Sequence, residues 1–156
     1  MILQQFKDIW IGRKIEVSGG PKNQCVDLVN GYLRDVKEMG LIPGNAKDFI
    51  LNAPPAKFQY IKNTPLYIPP EGAICVWNGN VGNGNGHVAI VLKANLLTFT
   101  SLDQNWPTDA PVMEVKHNYS NVEGFLIPRE KDIISEYSRL RSSMYDLLAK
   151  FPPVNS

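Results

Sequence analysis

Two kinds of apolar pattern follow one another along this chain, and their order constrains the fold most. Residues 3–53 carry apolar side chains at helical spacing, whereas residues 73–127 hold short β-branched segments separated by turn residues. Helical spacing followed by consecutive short strands indicates an α+β fold with an antiparallel sheet. The chain has 156 residues, of which 44% are hydrophobic, so it is long enough for one domain with its own core.

Three helices are predicted before the sheet and one after it. The first has Leu3, Phe6 and Trp10 on one side, the second covers about 24–39, and the third covers 45–53. The strands are expected at 73–77, 87–93, 96–102, 112–117 and 122–127. A last amphipathic helix covers about 130–150.

The last helix defines the predicted boundary between two parts of the chain. We assign residues 1–129 to one domain and residues 130–156 to a C-terminal helix and tail. This helix packs on the domain, leads into another module, or associates with a second copy. Packing on the domain is the expected arrangement, because its apolar side needs cover.

Charge and the lengths of the apolar runs exclude several classes of protein. The 16 basic and 15 acidic side chains give a formal net charge of +1, which argues against a dedicated nucleic-acid binder. No apolar run approaches the roughly 18 residues needed to cross a bilayer. Lys7, Asp8 and Arg13 interrupt the N-terminal segment, so no signal peptide is predicted. We therefore expect synthesis in a cytoplasm, with both thiols reduced.

Cysteine and histidine are scarce, which limits the chemistry they can carry. The chain has two of each, too few for a disulfide scaffold or a four-cysteine zinc site. Cys25 falls at a predicted helix start, where the helix dipole favours a thiolate. It is therefore either a nucleophile or a small buried apolar residue. Cys75, within an apolar strand, is expected to be a core residue.

Gln24 directly precedes Cys25. Its side-chain amide can donate a hydrogen bond to an oxyanion, as can the backbone N–H of Cys25. The alternative is an ordinary polar residue at a helix start. Both interpretations of Gln24 are open from the residues alone.

His87 begins a predicted strand after a loop rich in glycine and asparagine. A tight turn at 94–95 places His87 opposite Leu102, and one more loop residue places it opposite Asp103. Either register brings Asp103 or Asn105 beside the imidazole, where an oxygen can hold Nδ1–H. A lone histidine is otherwise a surface or core residue. His117 has no comparable partners by the same reasoning, so a structural or solvent-exposed role is expected for it.

Four motifs in a fixed order resemble one known family. QCVDLVNGYL, GHVAIVLKA, LDQNWP and GFLIPRE are similar to the CHAP family (cysteine, histidine-dependent amidohydrolase/peptidase), and the resemblance covers about residues 10–130. It implies a papain-like domain in which a helix carrying the cysteine packs on an antiparallel sheet carrying the histidine. It also implies cleavage of bacterial peptidoglycan, at the sugar–stem amide or within the peptide and its cross-bridge.

The resemblance assigns roles to individual residues. Cys25 matches the nucleophile, and His87 matches the general base and acid. Asp103 matches a position where the family often has Glu, and Asn105 matches the polar residue two further on. Through this mechanism the thiolate attacks an amide carbonyl, the Cys25 N–H and the Gln24 amide hold the oxyanion, and His87 protonates the leaving amine.

Two tryptophans and a loop are the predicted walls of a substrate groove. Trp77 precedes the loop 79–86, and Trp106 follows the polar segment after the third predicted strand. Core or rim packing is the alternative for both rings, and it is favoured for Trp77.

The calcium loop of many family members is altered here. The Asp-x-Asp-Gly pattern upstream of the cysteine aligns with 16–19, where Ser18 replaces a carboxylate. Glu16 and Asp27 remain as charged candidates, but calcium prefers six to eight oxygens, several of them anionic. A surface charge and an acid in a helix first turn are the favoured interpretations of Glu16 and Asp27. We therefore predict weak calcium binding or none, and no other cofactor.

The absence of a signal peptide fits a phage endolysin or a virion-borne wall hydrolase. An endolysin accumulates in the host cytoplasm and acts at the cell wall after release. The expected partner is peptidoglycan, with no nucleic acid and no membrane insertion, and with a separate wall-binding domain or self-association through the last helix. The alternatives are a non-catalytic wall-binding module of the same fold and a papain-like protease or transferase acting on protein.

Overall fold

The computed structural model describes residues 1–17, 19–130 and 133–151, with side chains omitted for 133–136. The helices are α1 (Leu3–Trp10), α2 (Cys25–Asp35), α3 (Phe49–Asn52) and α4 (Ile133–Ala149). The strands are β1 (Phe58–Lys62), β2 (Ile74–Trp77), β3 (His87–Ala94), β4 (Thr98–Asp103), β5 (Met113–Asn118) and β6 (Val122–Pro128). Single 3-10 turns at Ala46–Asp48 and Gly82–Gly84 complete the regular structure of the described residues.

The strands form one six-stranded sheet in the order β1-β6-β2-β3-β4-β5. Every neighbouring pair is antiparallel. The last strand returns to pair with both β1 and β2, so β2 and β3 lie in the interior of the sheet. The predicted α+β class with an antiparallel sheet is confirmed.

Alternation along the strands separates two apolar clusters. Val88 and Ile90 of β3 join the side chains of the helices in the larger cluster. Ala89 and Val91 face the other way, into a smaller cluster rich in aromatic rings. Successive strand residues point to opposite faces of a sheet, so the helix-side face is aliphatic and the opposite face can hold a buried polar group among rings.

Helix α2 ends earlier than its apolar pattern predicts. The pattern continues to Met39, but the regular helix stops at Asp35, and Glu38 adopts a left-handed φ of 53°. Val36 and Met39 still pack against the helix-side cluster, because the chain folds back over the core after leaving the helix. Apolar spacing therefore reports burial here and does not report the helix end.

An edge strand and a loop also differ from the predicted ones. Strand β1 was not predicted, and of its residues only Phe58 is buried, so it carries a weak apolar signal. The tight turn at 94–95 is wrong: the loop covers 95–97, where the Asn95 N–H donates to the Thr98 carbonyl at 2.9 Å. The β3–β4 register also shifts between Val91 and Lys93.

Helix α4 does not have the expected packing. Tyr137, Leu140 and Leu147 are 65%, 60% and 56% exposed, so these apolar side chains of the helix are not covered by the domain. In the described part of the chain, no helix combines the length and apolarity needed to cross a membrane.

Candidate active site

The start of helix α2 places Cys25 at the site. Cys25 is the first helical residue, and Gln24 is the residue before it. The Asp27 carboxylate accepts hydrogen bonds from the backbone N–H of Gln24 at 2.8 Å and of Val17 at 3.1 Å. This first-turn acid caps the helix and ties the preceding segment to it, so the position of Cys25 is fixed from both sides.

His87, the first residue of β3, is buried with 3% exposure. Its Nε2 donates to Oδ2 of Asp103 at 2.8 Å. Ile90 pairs with Leu102, and continuing this register places Asp103 across from Ala89. Asp103 is therefore the diagonal neighbour of His87, within reach of a long side chain. Both predicted registers were wrong, because the longer loop and the bulge shift the pairing.

The His87 imidazole contacts Asp103 through Nε2, whereas the sequence predicted Nδ1. Nε2 is held by the carboxylate, which leaves Nδ1 for the hydrogen bond that His87 makes with Cys25. The histidine thus connects the thiol of α2 with the carboxylate of β4.

Asp103 has more partners than the sequence suggests. Ser101 Oγ donates to Oδ1 at 2.6 Å, and Nε2 of His117 donates to Oδ2 at 3.0 Å. The carboxylate is fully buried. The expectation that His117 is a residue without comparable partners is wrong. His117 pairs with Phe99 in the β4–β5 ladder, four residues from Asp103, and strand side chains lean along the strand direction, so register alone does not predict this contact.

Electrostatic interactions keep both His87 and Asp103 charged. Burial acts to lower the pKa of His87, but its hydrogen bonds with Asp103 and Cys25 outweigh burial and raise the pKa to about 9. Burial acts to raise the pKa of Asp103, and the hydrogen bonds from His117 and His87 outweigh it, so this pKa is lowered. At neutral pH an imidazolium therefore lies beside the side chain of Cys25.

A cleft of about 1250 Å³ opens at these residues. Its lining includes Gln24, Cys25, His87, Asn105 and Trp106. Residues 41–46, 82–83 and 85–86 form another part of its wall. Concave sites that combine apolar walls with a few convergent polar groups are typical of substrate sites.

The two tryptophans occupy different positions. The ring of Trp106 lines the cleft and lies 4.8 Å from the His87 ring, measured between centroids. Trp77 is buried with 2% exposure and packs behind the imidazole at 5.2 Å. Trp77, predicted as a groove wall, is therefore a packing residue, which is the alternative that its strand position favoured.

Asn105 contacts Gln24 in place of the histidine. Its Nδ2 donates to Oε1 of Gln24 at 3.1 Å, and its Oδ1 accepts from the Asp109 N–H at 2.6 Å. Strand β4 ends at Asp103, and Asn105 has a left-handed φ of 61°, so it leaves the ladder that would have placed it beside His87. Nε2 of Gln24 donates to the Lys22 carbonyl at 3.0 Å and retains a second hydrogen for the predicted oxyanion role.

Gln104 is a supporting residue that sequence reasoning missed. It is fully buried, and its amide joins both backbone groups of Ile15 and the carbonyl of Gln24. The side chain thereby fastens the start of α2 to the end of β4. A polar residue between two candidate site residues was the available signal.

The two charged candidates for calcium differ in burial. Glu16 is exposed, whereas Asp27 is 1% exposed and its oxygens accept the backbone hydrogen bonds described above. Asp27 is thus the predicted first-turn acid, although it is buried and not on the surface. Within residues 1–17, 19–130 and 133–151, no group of three or more His, Cys, Asp or Glu side chains is placed to hold a metal ion.

A helix-borne cysteine, a strand-borne histidine and a buried carboxylate thus come together at the cleft. The CHAP domain family model matches residues 16–105, a range that contains Cys25, His87, Asp103 and Asn105. The chain belongs to the CHAP domain family.

Known relatives agree with this assignment. Endolysin PlyTW of Staphylococcus phage Twort is 31% identical over 116 residues, which is 67% of this chain and 25% of that protein. Probable autolysin PH of Staphylococcus aureus is 50% identical over 48 residues, 31% of this chain and 10% of that protein. The chain thus spans a quarter or less of the length of these two relatives.

A solved structure of a wild type endolysin, LysIME-EF1, superimposes with a TM-score of 0.69 at 26% identity, over 85% of this chain and 67% of that one. This similarity covers most of the chain. The predicted family and the predicted fold class are both confirmed.

Proposed function

We propose that this chain is a peptidoglycan hydrolase that cleaves an amide bond of the bacterial cell wall with Cys25 as the nucleophile. The observation that carries the proposal is the Cys25–His87–Asp103 array, whose cysteine and histidine line the cleft, within the range matched by the CHAP family. The endolysin and autolysin relatives support the cell wall as the target. A non-catalytic wall-binding module does not need a charged histidine beside a thiol.

The first half of the reaction uses the ion pair. The Cys25 thiolate attacks the amide carbonyl and forms a tetrahedral oxyanion, which the Cys25 N–H and the remaining N–H of Gln24 stabilise. His87 gives its proton to the leaving amine, and the intermediate collapses to a thioester.

The second half returns the enzyme to its starting state. His87 is now neutral and accepts a proton from a water molecule, whose oxygen attacks the thioester carbonyl. The carboxylate product leaves, and the thiolate and the imidazolium are restored. Asp103 holds the ring in one orientation through both halves.

Product analysis tests the proposal and identifies the bond. Purified Gram-positive cell walls are digested, and the released fragments are analysed by mass spectrometry. Stem peptides freed from intact sugar chains identify an N-acetylmuramoyl-L-alanine amidase, whereas cleaved stems or cross-bridges identify an endopeptidase. Cys25→Ala is the matched control. No soluble fragments from the wild-type chain, together with cleavage of a protein substrate, would contradict the proposal and favour a papain-like protease.

We also propose that the chain accumulates in the cytoplasm of a phage-infected host and reaches the wall after release. The phage endolysin among its relatives supports this site of action. Fractionation of infected cells before lysis tests it. The expected result is chain in the cytoplasmic fraction, and recovery only from purified virions would instead assign it to the particle.

For helix α4 we propose a second copy of this chain as the partner. Apolar side chains alternate at spacings of three and four, as in a coiled-coil seam, at Tyr137, Leu140, Met144 and Leu147, each more than half exposed.

The oligomeric state in solution tests this partner. Light scattering of the purified chain is expected to give a dimer, and Leu140→Glu is expected to give a monomer. A wild-type monomer would contradict the pair and favour a following wall-binding module as the cover.

A further inference from the structure

The buried carboxylate of Asp103 is shared by two histidines. Oδ2 accepts from Nε2 of His87 at 2.8 Å and from Nε2 of His117 at 3.0 Å, while Oδ1 accepts from Ser101 at 2.6 Å. The four groups come from β3, β4 and β5 and are all buried. The reaction described above uses His87 and Asp103 and leaves His117 without a role.

Hydrogen bonding to Asp103 determines which ring nitrogen of His117 carries a hydrogen. An ionised carboxylate only accepts hydrogen bonds, so His117 must present a hydrogen on Nε2. The torsion that rotates a carboxylate is broad and has no sharply preferred value. Asp103 alone therefore does not determine where Oδ2 lies, and a second donor on the same oxygen restricts it.

Packing holds the His117 ring in place. Its centroid lies 4.9 Å from the ring of Trp77, 5.4 Å from Phe99 and 5.5 Å from Trp106. His117 is not part of the cleft lining, so it does not meet a substrate bound there. Its hydrogen bond to Asp103 links it to the His87–Cys25 pair, and its ring contact with Trp106 is its link to the cleft wall.

We propose that His117 is a positioning residue: its Nε2–H holds Oδ2 of Asp103 where it receives the Nε2–H of His87, so that Nδ1 stays turned toward Cys25. The inference rests on the proposed hydrolase function. The proposal requires a fixed geometry between His87 and Asp103. It also requires that His117 provides a hydrogen-bond donor at Nε2.

Two substitutions of His117 distinguish the effect of its hydrogen-bond donor from the effect of its bulk. His117→Gln places an amide nitrogen near the position of Nε2, whereas His117→Leu keeps bulk and removes the donor. With a soluble peptidoglycan fragment as substrate, we expect His117→Leu to lose about 10-fold to 100-fold in kcat, the effect of a misplaced reacting group, with KM unchanged. His117→Gln is expected to recover most of the loss.

Val91→Ala controls for general destabilisation. Val91 is fully buried in the cluster that contains Trp77 and Phe99, and its apolar side chain makes no hydrogen bond, so the variant should lose stability and keep kcat at temperatures where it is folded. If His117→Leu fails to fold, His117→Asn replaces it, because the shorter amide does not reach Oδ2. A folded variant without the donor that keeps the wild-type kcat would overturn the proposal, as would a glutamine variant as impaired as the leucine one.

A spectroscopic readout separates this proposal from the proposed function. The Nε2 proton of His87, hydrogen-bonded to a buried carboxylate, is expected as a protected downfield imidazole signal in wild type and in His117→Gln. It should broaden or shift in the variant without the donor. An unchanged signal there would refute the positioning role even if the chain has no activity on peptidoglycan, whereas an inactive wild type with the expected signals would refute the hydrolase alone.

Discussion

Cys25 begins helix α2 at the cleft, whereas Cys75 lies in strand β2 between β3 and β6. Cys25 is 8% exposed and lines the cleft, and Cys75 is fully buried. Burial, with a smaller effect from the charge of Asp103, raises the pKa of Cys75 well above its ordinary value. The Cys75 thiol is therefore held neutral and inert.

The same carboxylate acts in opposite ways on the two thiols. Asp103 repels a negative charge at Cys75 directly, but it keeps His87 protonated beside Cys25. The effect of Asp103 is opposite at the two cysteines because the charged imidazole of His87 lies between Asp103 and Cys25. Reactivity of a cysteine in this fold therefore depends on what separates it from the buried carboxylate, and each prediction below tests that contrast.

Removing each thiol in turn should give the largest difference. Cys25→Ser is expected to lower the rate of cell-wall lysis by about 1000-fold or more, because the loss of a nucleophile removes the covalent route. Cys75→Ala should leave the rate unchanged and lower the free energy of unfolding by about 1 kcal/mol through the cavity it leaves. Turbidity loss and urea unfolding measure the two effects. A Cys25→Ser enzyme with wild-type activity would remove the basis of the contrast.

Alkylation should separate the two thiols in one molecule. Iodoacetamide at neutral pH is expected to modify Cys25 in the native chain and to reach Cys75 only in denaturant. His87→Ala should slow the modification of Cys25 about tenfold, because it removes the side chain that hydrogen-bonds to the nucleophile. Peptide mass mapping gives the rate at each site. Equal native rates at the two cysteines, or no dependence on His87, would contradict the prediction.

The alkaline limit of activity should report the charge of His87. The pKa of His87 is raised to about 9, so kcat/KM should fall as the pH rises through that value and the histidine can no longer give a proton to the leaving amine. Asp103→Asn removes the negative charge and should move this limb down by about one pH unit or more. Cys75→Ala is the control with an unmoved limb. A limb at the same pH in the Asp103→Asn enzyme would show that the carboxylate does not set the proton affinity.

Local patterns were sufficient to predict the elements that carry the two central residues. Cys25 was expected at a helix start and His87 at a strand start, and both residues lie there. The family motifs then supplied the pairing of the two, since spacing alone left each with a structural alternative. The β-branched residues of β3 and β6 made these strands recognisable because they pack on both faces of the sheet.

Contacts across strands were beyond the reach of the sequence. The bulge near Leu92 and the loop at 95–97 shift the register, and an alternating pattern looks the same in every even register. The contact of His117 with Asp103 depends on a side chain leaning along β5. Trp77 was ambiguous for a related reason, because period-two alternation gives its face and does not say whether that face borders the cleft.

The smallest effect is expected from calcium removal, at the turn of α2 that carries Cys25. The Asp27 carboxylate accepts the N–H groups of Gln24 and Val17, and a bound cation would compete with both. We therefore expect EDTA to leave the lytic rate within about twofold, because a calcium site needs several anionic oxygens. Asp27→Asn should lower the melting temperature through a weaker cap without creating a calcium response. Loss of lysis in EDTA, with recovery on adding calcium, would instead show that the charge near Cys25 includes a metal ion and that the contrast with Cys75 is incomplete without it.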